Sequence, residues 1–263
     1  MLLSDHIQHT KKALASVDLS SIGTAKDIAN AKEQILFGCE VNDLLELTSE
    51  VGGLLLGFLH ASDMQGVVGA LAASNGGKGK LQSFLYQSHY GSLASLHVMA
   101  VKAGAPAKDT WNQVGMWWSF LQGVFLGTVR IKPSDSLEKT ATPIQPLFQG
   151  LDQPMSRLFD TAVPLQIKYR SLGMLMHLIQ DSFTPSHCFR TDDGKLGEFY
   201  AYKSQDSGKH SAADHVLPKF QPLMEKHLQT VLASLLKGTP VDYFTVFNLK
   251  KDAMSADGGE YVK

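Results

Sequence analysis

The sequence predicts a single all-α domain, a multi-helix bundle, and three observations carry that expectation. Apolar residues recur at helical spacing in long segments, notably around residues 173–183 and 216–236. Two apolar runs, residues 51–59 and 114–129, read as buried helices, because the first is too short to span a bilayer and the second is interrupted by Ser119 and Gln122. No stretch of the 263 residues has the composition of a linker between halves, and a chain of that length can bury one large core.

The first fifty residues read as helix, with Ser4 or Asp5 as cap and residues 20–24 as a break. His6 and His9 are expected at the solvated surface, an amino-terminal metal ligand being the alternative. Gly52, Gly53 and Gly57 suggest close packing against a neighbouring helix, and residues 75–79 (NGGKG) form a loop without the spacing of a phosphate-binding motif. In the segment SFLYQSHYGSLASLHVMA, Gly91 or Ser92 starts a helix that carries Leu93, Leu96, His97 and Ala100 toward the core, with His89 just before it. Residues 111–127 form a long apolar helix with Trp111, Trp117 and Trp118 expected as core aromatics, pocket wall being the alternative. A polar connector spans residues 132–164, a second loop spans 191–209, and helical spacing resumes at 216–236 with early interruptions at Pro218 and Pro222. Alternation of Val241, Tyr243, Thr245 and Phe247 reads as a short strand or an apolar lid, and a flexible tail is expected from about residue 250.

A net charge of −1 supplies no general footprint for long nucleic acid or for an anionic membrane surface. Two distant cysteines, Cys39 and Cys188, define no disulfide framework and read as a reducing compartment. The amino terminus has no basic segment followed by an apolar signal core, so the protein is expected to be made as a cytoplasmic one, for use there or for export by a dedicated secretion machine.

The chemistry concentrates in residues 173–190, GMLMHLIQDSFTPSHCFR. His177 and Asp181 are four apart and share one helix face, within an apolar body formed by Leu172, Leu175, Met176, Leu178 and Ile179. Pro185 bars Thr184 from helical geometry, so the helix should stop near Phe183 and His187 should fold back toward the pair. The same H-x3-D spacing returns as His210 and Asp214. Five candidate ligands exceed one tetrahedral coordination sphere, which implies two zinc ions or three. A mixed His and Asp set without a cysteine pair is unlike a closed structural zinc site, and paired ions can clamp the attacking and leaving oxygens of a phosphoryl centre.

At these residues the sequence resembles the zinc-dependent phospholipase C and S1/P1 nuclease superfamily, all-helical enzymes with a trinuclear zinc cluster. The spacing H-x3-D-x5-H followed by H-x3-D carries the resemblance. It is most similar to the bacterial phosphatidylcholine-hydrolysing branch known from Pseudomonas and Legionella, through Ser186, His187 and Arg190 (Ser-His-x-x-Arg) and through GSLASLHVMA, which looks like that branch's GDLQFLHAMA. The likeness covers residues 81–218. It implies that His177 and Asp181 hold the paired ions, with Asp181 bridging, and that His187, His210 and Asp214 hold the separate one. His97 is the further histidine it implies for the paired ions, with His89 as competitor. Ser92 stands where the branch has an acidic residue, with Asp63 as the substitute considered, and Met1 stands where secreted members present a processed amino-terminal Trp to the third ion.

The expected activity is phosphodiester hydrolysis, with His177, Asp181 and Arg190 as the catalytic set. Arg190 would contact a phosphate oxygen, or else form a surface salt bridge, and His215 would lie behind the ligands or at the surface. The expected substrate is a phosphatidylcholine-type lipid, met through transient contact with a membrane surface and admitted past an apolar rim drawn from Trp117, Trp118, Phe183, Phe189, Tyr243, Phe244 and Phe247. No stable nucleic-acid partner is expected. Two rivals stay open: a single-strand nuclease on the same scaffold, which needs base-stacking aromatics and a basic track, and a non-catalytic interaction protein that keeps metal for stability.

Overall fold

A computed structural model describes residues 3–44, 84–256 and 258. The described chain is mostly helical, with eight α-helices and a small three-stranded sheet. The helices are α1 (Leu3–Ala15), α2 (Ala25–Leu44), α3 (Phe84–Tyr90), α4 (Ala107–Leu126), α5 (Met155–Leu158), α6 (Pro164–Asp181), α7 (Ser207–Ala212) and α8 (Gln221–Leu236). The strands are β1 (Cys188–Arg190), β2 (Leu196–Tyr200) and β3 (Leu249–Ala256), in the order β1-β2-β3. The expectation of a purely α domain is therefore corrected.

Helix ends follow local chemistry. Pro164 opens α6 and Pro222 lies in the first turn of α8, positions where a missing amide hydrogen costs nothing. α4 stops at Gly127, which takes the left-handed conformation at φ 76°. α2 and α6 lie with their backbones in contact at Gly38 and Gly173: a Cβ at Gly173 would overlap the Ile35 carbonyl oxygen, and one at Gly38 would overlap that of Arg170. This close approach fixes the two helices that carry most of the site. Behind them Trp117 packs edge-on against Phe148, and Phe120 stacks on Phe159, all fully buried. Trp117 and Trp118 are core residues, as the apolar run predicts.

The sheet lies where the sequence reads as loop and tail. β1 and β2 form an antiparallel hairpin across Gly194, whose φ is 81°, inside the stretch expected to be loop. β3 pairs parallel to β2 and occupies the start of the expected tail. Pairing partners distant in sequence leave no periodic trace in a local window. The register is Cys188↔Phe199↔Ser255 on the inner face and Phe189↔Glu198↔Met254 on the outer one. Segment 241–247 forms a 3-10 turn (Tyr243–Thr245) in place of a strand.

The helix expected from residue 91 or 92 is also corrected. It is a 3-10 turn, Ala94–His97, ended by Val98 at φ 57°, a left-handed conformation that a β-branched residue rarely adopts. Among the described residues no helix is long and apolar enough to cross a membrane. Both cysteines are free and buried. The expectations for residues 51–59, Asp63 and residues 75–79 lie outside the described residues.

Candidate metal centre

The last two turns of α6 and the turn after it supply three of the central side chains. His177 and Asp181 share a face, with Nε2 to Oδ2 at 2.9 Å. Beyond Asp181 the chain tightens: Thr184 donates its amide to the Asp181 carbonyl, and His187 donates its own to Thr184. His187 arrives beside the helix end with Nδ1 3.4 Å from Asp181 Oδ2, as the Pro185 argument requires.

A first group forms around this pair. His97 Nδ1 lies 3.0 Å from Asp181 Oδ2 and 3.3 Å from His177 Nε2, while Asp43 Oδ1 is 3.6 Å from His177 Nε2 and 3.8 Å from His97 Nδ1. With the 2.9 Å pair, these spacings centre on about 3.3 Å, the edge of a tetrahedron whose corners lie about 2.0 Å from its centre, a metal–nitrogen bond length. His177 Nδ1 donates to the Cys39 carbonyl at 2.8 Å, which turns Nε2 toward the group. Trp117 donates to Ser95 Oγ and anchors the 3-10 turn that carries His97.

Asp181 uses its other oxygen as well. His6 Nε2 lies 3.2 Å from Asp181 Oδ1 and 4.0 Å from Asp43 Oδ2, and the His6 ring stacks on His177 at 3.9 Å. His6 Nδ1 pairs with Gln180 Oε1, Gln180 Nε2 donates to Thr10, and Thr10 Oγ1 pairs with Cys39 Sγ. The expectation of a surface His6 is overturned, since the residue is fully buried.

The second group is His187, His210 and Asp214, with His187 Nε2 3.4 Å from Asp214 Oδ1 and the two imidazoles stacked at 5.3 Å. Ser186 Oγ donates to Asp214, and Gln205 pairs with His210 Nδ1 through its carbonyl while its amide donates to the Ser186 carbonyl. His210 is held by its neighbours as a ligand should be.

Electrostatics fit a cation. Burial opposes charge on His177, yet Asp181 and Asp43 outweigh it and hold the imidazole well above its ordinary range. Burial likewise opposes ionisation of Asp181, and His177 and His187 reverse that, keeping it well below the carboxylate range. Burial pushes His210 down to about 3, so it stays neutral. Among the described residues, His6 Nε2 and His187 Nδ1 are buried with the Asp181 carboxylate as their only near partner, outside good hydrogen-bond geometry, and Asp43 Oδ2 is buried without a hydrogen bond. Buried polar atoms normally find partners, and a metal ion would supply one. Three sets of side chains among the described residues converge closely enough to hold an ion: Asp43, His97 and His177; His187, His210 and Asp214; and His6, Cys39 and His177.

Of the residues expected from sequence, His97, His177, Asp181, His187, His210 and Asp214 come together, and His89 and Arg190 do not join them. The His89 ring is 4.9 Å from that of His97 and 5.1 Å from Tyr202, bordering the groups as a wall. Arg190 is buried on β1, stacked on Phe183, and donates to the Ser182 carbonyl and hydroxyl and to the carbonyls of Gly194 and Val246. It ties the turn, the hairpin and the 3-10 turn together. Ser92 bonds to the Leu147 carbonyl, and Asp43 supplies the acidic side chain from the amino-terminal half. His215 is exposed.

Sequence reasoning missed Asp43 and offered His6 as a ligand only in the alternative. His6 left a signal, because it falls on the α1 stripe of His6, Thr10, Ala13 and Leu14, all buried. No protein-family model, curated protein or solved structure matches the chain.

Proposed function

We propose that the protein is a zinc-dependent phosphodiester hydrolase of the phospholipase C type, acting on phosphatidylcholine-type lipids to give diacylglycerol and phosphocholine. The observation that carries this reading is the Asp181 carboxylate, buried between two His/Asp groups and in contact with His6, His97, His177 and His187. Imidazole nitrogens and carboxylate oxygens at near-tetrahedral spacing, without a cysteine pair, favour zinc. Asp43, His97, His177 and Asp181 would hold one ion, His187, His210 and Asp214 a second, and His6 with the outer Asp181 oxygen a third. Zinc so held supplies Lewis acidity that activates water and offsets charge developing on phosphoryl oxygens.

The chain's own residues supply orientation. The Cys39 carbonyl and Gln205 fix the His177 and His210 rings, and Asp181 sets the distance between the groups. Asp43 and Asp214 are the least buried members of the two groups, with side chains 24% and 14% exposed. A near-neutral chain favours a lipid over a polynucleotide.

The test is turnover by zinc-loaded protein of short-chain phosphatidylcholine and of single-stranded DNA at equal enzyme. Chelator-sensitive release of phosphocholine with little DNA digestion is expected. Faster DNA digestion would replace the substrate, and no hydrolysis of either with metal bound would overturn the enzymatic reading.

A further inference from the structure

Four of the six exposed large apolar side chains among the described residues, Val101, Phe189, Phe244 and Met254, lie on or beside the sheet. Their arrangement follows from register. Phe189 pairs with Glu198, Glu198 with Met254, and Met254 with Pro106 through an antiparallel bridge. Residues directly opposite across a sheet project to one face, so Phe189, Glu198, Met254 and Pro106 make a single outward row. Phe189 is 45% exposed, Met254 55%, and Pro106 is exposed as well, with only Glu198 half-buried. The opposite row, Cys188, Phe199 and Ser255, is buried. Phe244 packs on Trp111, one turn into the helix that Pro106 begins.

This face adjoins the metal centre along the chain. Phe189 follows His187 by two residues, and Val101 follows His97 by four, just past the bridge between Ala100 and Ala201. The other two exposed apolar residues, Val163 and Leu165, sit at the opposite end of α6 from its ligands. The charged residues near the row in sequence nearly cancel, Lys102, Lys108, Lys250 and Lys251 against Asp109, Glu198 and Asp252, and Lys250 pairs with Asp252 at 3.1 Å.

We propose that this outer sheet face docks the protein onto a zwitterionic phospholipid surface, with Phe189 and Met254 entering the headgroup and acyl boundary. The proposal rests on the phospholipase reading and names how its substrate is met. Phe189 and Met254 flank the half-buried Glu198, and apolar side chains on a face of balanced charge insert without electrostatic attraction, so binding should be nearly independent of salt.

The test is co-sedimentation of the zinc-loaded full chain with phosphatidylcholine vesicles. Wild type should bind, Phe189→Ser/Met254→Ser should bind at least tenfold more weakly, and Leu165→Ser, at the far end, should bind as wild type does. Met254→Ser alone should weaken vesicle binding and hydrolyse monomeric short-chain lipid at the wild-type rate. Wild type that ignores vesicles, or a double variant that binds equally, overturns the proposal. So does a wild-type dimer that the double variant dissociates in light scattering, which would assign the face to a second copy of the chain. Hydrolysis of monomeric lipid without vesicle binding sinks the docking and leaves the activity. Vesicle binding without hydrolysis sinks the activity and leaves the docking.

Discussion

His177 is held by the main chain of residue 39: its Nδ1 donates to the Cys39 carbonyl at 2.8 Å, and the thiol of the same residue contacts Thr10. The backbone thus performs the orienting task, and the sulfur is replaceable. Cys39→Ser should keep the wild-type zinc content, at a stability cost of about 1 kcal/mol for altering a buried polar contact. Elemental analysis decides it. Loss of one ion would make the thiol a ligand within the set of His6, Cys39 and His177.

Gly173 touches α2 where any Cβ would collide with the Ile35 carbonyl. Gly173→Ala must push α2 away from α6 and carry Asp43 away from His177. We expect a loss of about 1–3 kcal/mol in denaturant unfolding from overpacking, together with weaker zinc binding by titration. An unchanged zinc affinity would show that the α2 contact does not set the site.

The carboxylates should separate by stoichiometry. Asp181 faces both the Asp43/His97/His177 group and His6, whereas Asp43 stands in the first group with only a distant approach to His6. Asp181→Asn should abolish turnover and lower the metal content by more than Asp43→Asn does. Equal losses in the two variants would remove the bridging role.

Arg190 serves structure. Arg190→Met removes the donor from the Gly194 and Val246 carbonyls, while the Ser182 carbonyl keeps the Cys188 thiol and the Ser182 hydroxyl keeps its bond to Ile179. At about 1–3 kcal/mol for each unsatisfied buried group, partly relaxed by water, the net loss should be about 3–5 kcal/mol. Thermal unfolding should show it, while KM for a small phosphodiester stays near wild type in the fraction that remains folded. A large rise in KM at unchanged stability would return Arg190 to the substrate.

Metal binding should release protons. Asp181 and Asp43 hold His177 above its ordinary range against the pull of burial, so the metal-free site favours the protonated ring. Zinc requires the neutral ring. Apparent affinity should therefore rise with pH above about 6.5, the free-histidine value, and level off once the raised value is passed. Calorimetry in two buffers of different ionisation heat measures the release directly, and zero release at pH 7 would contradict the assignment.

How much was legible follows from distance along the chain. His177, Asp181 and His187 are separated by four and six residues, so helical periodicity and one proline place them. The pairing of His6 with Gln180 spans 174 residues, and that of His177 with the Cys39 carbonyl spans 138, and no local window joins such partners. His89 and His97 lie in one short segment, and only the path of the Ala94–His97 turn separates ligand from wall. β3 escaped for the same reason as Asp43, since its partner β2 lies about fifty residues upstream, whereas the β1–β2 hairpin is local and its Asp193-Gly194 turn is a signal the sequence does carry.

The spread of ligands from residue 6 to residue 214 also imposes an order on assembly during synthesis. A nascent chain emerging from the ribosome has every side chain of the Asp43, His97, His177 and Asp181 group once α6 is out, while His210 and Asp214 are still to be made. A metal ion taken up by the first group would therefore precede the second group's existence, and it would hold α2 against α6 while the hairpin and α7 fold onto them.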